Sequence, residues 1–290
     1  MAEPSSSLII RRLSVSNSLR SSATGAIVYN DYHDNFVIIP GSEAALKDFV
    51  SQTYAGQQHK LKATRSSNSE DALTWSCFDT LKCLPPKHRA AALAAIWNLA
   101  FPDSSPPAGF SGGAIYIGKT YGDTKEKTEV DASVEGDGTL VFIEAKLFSS
   151  MSLADESKDK PHDQIARKLR VGIKEAKRTQ TDFYFLILDI APKEILRSLK
   201  PGASLAEAKN AKRSGFASKW LTAYWFSRYK GGSSVTPLRE ILKDIHEADA
   251  AAISKHMGWL VWSDIFKITL RSVIEAGFEA NGPFLNHKDG

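Results

Sequence analysis

The sequence predicts an α/β protein with a mixed central sheet flanked by helices. An Asp137-Gly138 turn signal lies between two segments in which apolar residues alternate, which is typical of a β-hairpin. A nearly continuous apolar run, Asp182–Ile190, has the length and composition of a strand buried on both faces. Segments with helical periodicity precede and follow these strands, and a chain of 290 residues with 42% hydrophobic content can bury a substantial core.

The chain is expected to have four parts. Residues 1–24 are expected to form a flexible arm and residues 25–62 an accessory piece. Residues 63–192 are expected to form the core, and residues 193–290 a helical extension packed on it. The arm is rich in serine and carries three arginines, a composition that favours disorder. In the accessory piece, the pattern predicts two short strands and a capped helix: Gly25–Tyr29, Phe36–Ile39 and Ser42–Tyr54.

The core elements follow from periodicity and from proline. A helix should begin near Ser69 and end at about Leu84, where Pro85-Pro86 stops it, and an alanine-rich helix should cover Lys87–Phe101. Around the hairpin, the sequence predicts a strand before it and a helix after it: Gly113–Gly118 and Asp163–Arg178. The extension is expected to hold helices over three ranges: Leu205–Tyr229, Pro237–His256 and Trp259–Ala276.

The hairpin has a register that can be counted from its turn. If Asp137 and Gly138 form a two-residue type I′ turn, Asp131 lies directly opposite Glu144, and Glu129 lies opposite Lys146. Period-two alternation puts these four charged residues on one face. The apolar residues then share the other face: Val130, Ala132, Val134, Val141, Ile143 and Ala145.

Two carboxylates that face each other across a strand pair repel, so Asp131 and Glu144 need a shared proton or a cation between them. Magnesium is usually held by one or two carboxylates together with water and substrate phosphate, and Lys146 would lie beside such an ion. The alternative is a solvated hairpin face with a Glu129–Lys146 ion pair. That alternative leaves Asp131 facing Glu144 unexplained.

The acidic residue, the hairpin and the Glu144-Ala145-Lys146 sequence together resemble the PD-(D/E)XK nuclease superfamily. Asp131 matches the first acidic position, although Val130 stands where the family name has proline. Apart from one inserted helix, the element order over residues 69–190 is similar to the αβββαβ core of this restriction-endonuclease-like fold.

The resemblance implies a metal-dependent endonuclease that acts on DNA. It implies that Mg²⁺, which Mn²⁺ can replace, is held by three carboxylates and one backbone carbonyl: Asp131, Glu144, Glu70 and Ala145. It also implies that Lys146 orients the attacking water and stabilises the transition state, and that Gln164 helps to position that water. Without the resemblance, Glu70 is a first-turn residue in a capping box with Ser67, and Gln164 is a surface residue.

The helix after the hairpin carries a basic stripe at helical spacing: Arg167, Arg170, Lys174 and Lys177. Such a stripe can follow a phosphate backbone, which is in keeping with a net charge of +4 and a pI near 8.9. A solvated basic face is the alternative. Two further possibilities stay open for the whole chain, which are a nucleic-acid-binding module of the same fold that does not cut and a structural α/β protein.

The location and the assembly are predicted from weaker features. Cys77 and Cys83 lie six residues apart in one predicted helix and do not have the spacing of a zinc site, which favours the reducing cytoplasm. No leader and no long uncharged stretch are found, so neither secretion nor membrane insertion is expected. The strongly apolar helix predicted at Trp259–Ala276 must pack on the core or on another subunit, so a homodimer through the C-terminal helices is possible.

Overall fold

A five-stranded mixed sheet flanked by helices is the centre of the fold, as predicted. The computed structural model describes residues 20–22, 25–53, 59–147, 163–189, 245–253 and 255–281. The strands of the sheet, in spatial order, are β3 to β7: Gly109–Gly122, Lys127–Asp137, Thr139–Ala145, Asp182–Asp189 and Met257–Val261. The β3–β4 and β4–β5 pairs are antiparallel, whereas the β5–β6 and β6–β7 pairs are parallel.

The register of the β4–β5 hairpin is the predicted one over the five observed pairs, but the predicted pairs Asp131–Glu144 and Glu129–Lys146 are not part of the ladder. Gly136 pairs with Thr139, and the ladder continues in step to the Ala132–Ile143 pair. The turn type differs from the prediction. Gly138 has a φ of +66°, but Asp137 lacks the positive φ that a type I′ turn requires, since Gln180 is the one non-glycine residue with positive φ in the described parts of the chain.

The predicted alternation of faces is interrupted at Asp131. The β4–β5 ladder ends at Ala132, and the Ala145 N–H donates to the Asp131 side chain instead of to a strand carbonyl. Val130, which was predicted to share a face with Ala132, packs in the core on the opposite side of the sheet with Phe142. The hairpin therefore opens at its carboxylates.

Helices cover both faces of the sheet. On one face, α5 (Gln164–Thr179) packs its apolar stripe against β4, β5 and β6. On the other face lie α3 (Glu70–Cys83) and α4 (Pro86–Ala100). The interior of β5, β6 and β7 is apolar on both sides, with alternate residues assigned to the two cores. Burial of this kind accounts for the unbroken apolar run of β6.

The sequence prediction for the C-terminal extension is wrong at one point. Met257–Val261 forms strand β7, parallel to β6, and the following helix α7 begins only at Trp262 and ends at Asn281. All five residues of β7 are buried. Short apolar runs cannot be assigned to strand or helix by periodicity, and here the run continues directly into an apolar helix. The core sheet therefore includes a strand from residues 193–290.

The accessory piece also differs from its prediction. Ile27–Val28 (β2) pairs with Arg20–Ser21 (β1), so the end of the expected flexible arm lies in a strand. Phe36–Ile39 is not a strand, and a 3₁₀ helix occupies Tyr32–Asn35. The Asn35 side chain donates to the carbonyls of Thr64 and Ser66, and these contacts fix the segment without a ladder. Two helices follow, α1 and α2: Glu43–Ser51 and His59–Ala63.

Several predictions fall outside the described residues. These are most of the arm and the helix at Leu205–Tyr229. Of the helix predicted at Pro237–His256, the described part is α6 (Glu247–Ile253). Within the described helices, no segment is both long and apolar enough to cross a membrane. The homodimer stays a prediction, and the exposed apolar side of α7 is where such a contact would form: Phe266, Leu270 and Ile274.

Candidate active site

Glu144, at the end of β5, is the centre of a buried cluster of charges. Its side chain is 0% exposed, and both carboxylate oxygens have partners within the protein. Oε1 accepts from Gln164 Nε2 at 2.5 Å and lies 2.8 Å from Lys146 Nζ. Oε2 forms an ion pair with Lys168 Nζ. Gln164, which was predicted to position water, thus holds Glu144.

Lys168 is the member of this cluster that the sequence analysis missed. Its side chain is 3% exposed, and its Nζ also lies 3.9 Å from Asp131 Oδ1. The predicted basic stripe on α5 included Arg167 and Arg170 but not Lys168, and its members were expected to lie at the surface. The sequence did indicate this position, because Lys168 lies four residues after Gln164 and therefore on the same side of the helix.

Asp131 lies beside Glu144 at the floor of an open cleft. Its Oδ2 accepts from the Ala145 N–H at 2.7 Å, and 26% of its side chain is exposed. The cleft has a volume of 440 Å³ and is also lined by Ser69, Glu70 and Asp71. Burial and then repulsion from Glu144 raise the pKa of Asp131 to about 7. This is the cost expected for two facing carboxylates.

In the other three members of the cluster, the pKa shifts favour the charged form. Burial alone would raise the pKa of Glu144, but the ammonium groups of Lys168 and Lys146 lower it below its ordinary range. Burial alone would lower the pKa of each lysine. The nearby carboxylates more than offset burial and raise both, mainly through Glu144 for Lys146 and Asp131 for Lys168. Both lysines are therefore ammonium ions at neutral pH.

Glu70, the first residue of α3, faces this cluster. Its Oε2 lies 3.6 Å from Lys146 Nζ. The helix cap was predicted incorrectly, because Ser69 accepts from the Ala72 N–H at 3.2 Å, whereas Ser67 accepts from the N–H of Ile27. With the cap supplied by Ser69, Glu70 is not part of the predicted capping box.

The alternative of a solvated hairpin face is not observed. Glu129, which that alternative paired with Lys146, forms an ion pair with Lys60 of α2. Lys146 instead contacts Glu144 and Glu70, and its side chain is 9% exposed. The four charged hairpin residues therefore belong to two separate groups.

The backbone of Lys146 is fixed by two elements distant in sequence. Its N–H donates to the Leu188 carbonyl of β6 at 2.7 Å. Its carbonyl accepts from the Trp262 indole N–H at 2.9 Å, a bond provided by the first residue of α7. The C-terminal extension thus helps to position the residue on which the predicted chemistry depends.

The predicted basic stripe is divided by the fold. Three of its members line a cleft of 610 Å³ between the β3–β4 turn and α5: Arg167, Arg170 and Lys174. Further basic and acidic residues line the same cleft: Lys125, Lys127, Arg178, Asp123, Glu126 and Glu175. Arg170 Nε donates to Glu126 Oε2 at 2.6 Å. Lys177 does not line the cleft and pairs with Asp249 of α6 at 2.5 Å.

The donor chemistry of the site suits a hard divalent ion in kind, because the groups that meet there are carboxylates. In the described parts of the chain, however, no group of three or more His, Cys, Asp or Glu side chains is placed to hold a metal. Glu144 is engaged by ammonium and amide groups, and Asp131 by a backbone N–H. Coordination by Glu144 therefore requires that one of these donors move.

Comparisons of the chain with protein-family models, with curated proteins and with solved structures gave no match. Function is therefore inferred from the chemistry of the site. Glu70 and Asp131 line the open cleft, and the Lys146 ammonium lies 3.6 Å from Glu70. An ammonium in such a position can hold an anionic substrate group and stabilise developing negative charge.

The raised pKa of Asp131 predicts how stability depends on pH. Between its ordinary value of 3.8 and about 7, the folded protein keeps a proton that the unfolded chain has lost, so stability should fall as the pH rises through this window. Asp131→Asn removes this dependence and should melt at or above wild type near pH 8. Thermal unfolding in chelator from about pH 5 to about pH 8 measures the difference.

The matched control for that experiment is Asp123→Asn, since Asp123 lies in the exposed β3–β4 turn. The difference in melting temperature between Asp131→Asn and wild type should increase with pH, whereas the melting temperature of Asp123→Asn should follow that of wild type. A strongly destabilised Asp131→Asn near pH 8 would instead identify Asp131 as a structural ion-pair partner.

Proposed function

We propose that this chain is a Mg²⁺-dependent endonuclease of the PD-(D/E)XK superfamily that hydrolyses phosphodiester bonds in DNA in the cytoplasm. The observation that carries the proposal is the convergence of Lys146 on two carboxylates from different elements, Glu144 at 2.8 Å and Glu70 at 3.6 Å, with Asp131 beside them at the floor of a cleft. These are the positions that the family motif fills.

The order of elements supports the restriction-endonuclease-like fold. Helix α3, strands β3 to β5, helix α5 and strand β6 follow one another as in an αβββαβ core, with α4 as the additional helix. The parallel pairing of β5 with β6 across α5 makes this sheet a mixed one. The carboxylates lie where the antiparallel and the parallel parts of the sheet meet.

In this proposal Asp131, Glu144, Glu70 and the Ala145 carbonyl would hold the ion, and Mn²⁺ could replace Mg²⁺. The bound ion would polarise the scissile phosphate and lower the pKa of a bound water. The Lys146 ammonium orients that water and stabilises the charge that develops as the water oxygen bonds to phosphorus and the bond to the leaving ester oxygen breaks. Gln164 keeps Glu144 in place through its 2.5 Å hydrogen bond.

The experiment that tests the proposal is incubation of the purified protein with plasmid, linear, single-stranded and branched DNA, with and without Mg²⁺ or Mn²⁺. Ion-dependent cutting within a strand supports it. One observation favours a second candidate, a nucleic-acid-binding module without activity, because both oxygens of Glu144 are engaged by protein donors. Binding without cutting under every condition would support that candidate.

The cleft beside α5 is proposed to bind the phosphate backbone. The double substitution Arg170→Glu and Lys174→Glu should weaken binding to all DNA sequences alike, because phosphate contacts carry no sequence information. The slope of the logarithm of the affinity against the logarithm of the salt concentration should decrease by about two, at roughly 0.9 per lost contact. Fluorescence anisotropy over a salt series measures both quantities.

A charge-matched control for this experiment is available on α7, where Lys267 and Arg271 lie away from the α5 cleft. Lys267→Glu with Arg271→Glu changes the net charge by the same amount and should leave the slope near its wild-type value. Equal effects of the two double variants would show that net charge, and not the cleft, determines the affinity.

A further inference from the structure

Lys168 partly offsets the repulsion between the two carboxylates. Its ammonium forms an ion pair with Glu144 Oε2 and lies 3.9 Å from Asp131 Oδ1. It thus provides a positive charge to both carboxylates from within the protein. Lys146 is different, because its ammonium contacts Oε1 of Glu144 and faces Glu70.

The same position is the one that a divalent ion shared by Asp131 and Glu144 would take. Two like charges at such a separation repel each other, and the repulsion doubles when one of them is divalent. An ammonium ion and a divalent ion therefore cannot both remain at Glu144 Oε2. The four-carbon stem of a lysine lets its ammonium move without a shift of the backbone.

We propose that Lys168 is a built-in competitor of the divalent ion, and that its ammonium must leave Glu144 before an ion binds between Glu144 and Asp131. This inference rests on the proposed function, since it concerns the same ion. Lys168 stabilises the two carboxylates in the absence of an ion and lowers the affinity of the site for one. Within the cluster it is a positioning residue, because its contacts are to Glu144 and Asp131.

The test is calorimetric titration of the full chain with Mn²⁺ alone, without nucleic acid. Lys168→Met replaces the ammonium with an apolar group of similar length and should lower the Kd for Mn²⁺ by about tenfold or more. In chelator this variant should melt below wild type, and Mn²⁺ should raise its melting temperature by more than it raises that of wild type. Lys168→Gln, which keeps a hydrogen-bond donor for Glu144, should change the Kd in the same direction if Lys168→Met does not fold.

The control is Lys82→Met, which removes one positive charge from the exposed side of α3, twelve residues from Glu70, and should leave the Kd for Mn²⁺ within about twofold of wild type. Mn²⁺ affinity that is unchanged or weaker in both Lys168 variants, with clear binding by wild type, would overturn the inference and leave the proposed function standing. No Mn²⁺ binding by wild type or by any variant would overturn both.

Discussion

Lys146→Ala is expected to reduce DNA cleavage by about 100- to 1,000-fold, the range found when one preorganised group that stabilises transition-state charge is removed. The Lys146 ammonium lies 2.8 Å from Glu144 and 3.6 Å from Glu70, with only 9% of its side chain exposed. Water cannot readily replace a charge in such a place. Single-turnover cleavage of plasmid DNA in Mg²⁺ measures the loss.

DNA binding should change far less than cleavage in Lys146→Ala. In the proposed function, one lysine would be a small part of the electrostatic footprint, to which the basic residues of the α5 cleft would also contribute. Anisotropy in chelator is the readout, and Lys82→Ala, on the exposed side of α3, is the matched control. Cutting at the wild-type rate by Lys146→Ala would exclude the proposed mechanism, whereas parallel losses of binding and cleavage would point to a damaged fold.

The hairpin register could be predicted because its determinants are local. A turn dipeptide and a period of two predict which residues oppose each other, and the five observed pairs from Gly136–Thr139 to Ala132–Ile143 follow that count. The same reasoning failed at Val130. There the strand leaves the ladder because the Asp131 side chain takes the Ala145 N–H, and alternation is valid only while the strands stay paired.

Strand β7 and the role of Trp262 could not be predicted, because they depend on contacts between segments far apart in sequence. Leu188 pairs with Leu260 across 72 positions, and Trp262 contacts the Lys146 carbonyl across 116. The five-residue apolar run of β7 does not by itself indicate which strand it pairs with. Parallel strands are joined by long connections, so a local sequence pattern does not show which two strands will pair.

Lys168 was missed for a different reason. Lysine is almost never fully buried unless it is paired, so a lysine in a basic helix is normally assigned to solvent. Its partner Glu144 was itself predicted to need a cation, and that cation was expected to be a bound metal ion and not a side chain. The position of Lys168 four residues after Gln164 was the available evidence that the cation could be supplied by α5.

Glu144→Gln should destabilise the protein by about 3–5 kcal/mol, the usual cost of removing one partner of a buried ion pair. The substitution keeps the shape of the side chain but leaves the Lys146 ammonium without its main counterion and the Lys168 ammonium without its ion-pair partner, and Lys168 is only 3% exposed. At about 2–4 °C per kcal/mol for a chain of this size, the melting temperature should fall by roughly 10 °C.

The decisive comparison is between Glu144→Gln and Asp131→Asn, two exchanges of carboxylate for amide at neighbouring positions. Their effects in chelator near pH 8 should have opposite signs, because the pKa of Glu144 is lowered by two lysines, whereas burial and Glu144 raise that of Asp131. Thermal unfolding of both variants beside wild type provides the measurement. If both variants lost stability equally, the two carboxylates would share one structural role, and Asp131 would no longer stand out as the group that is ionised at a cost to the fold.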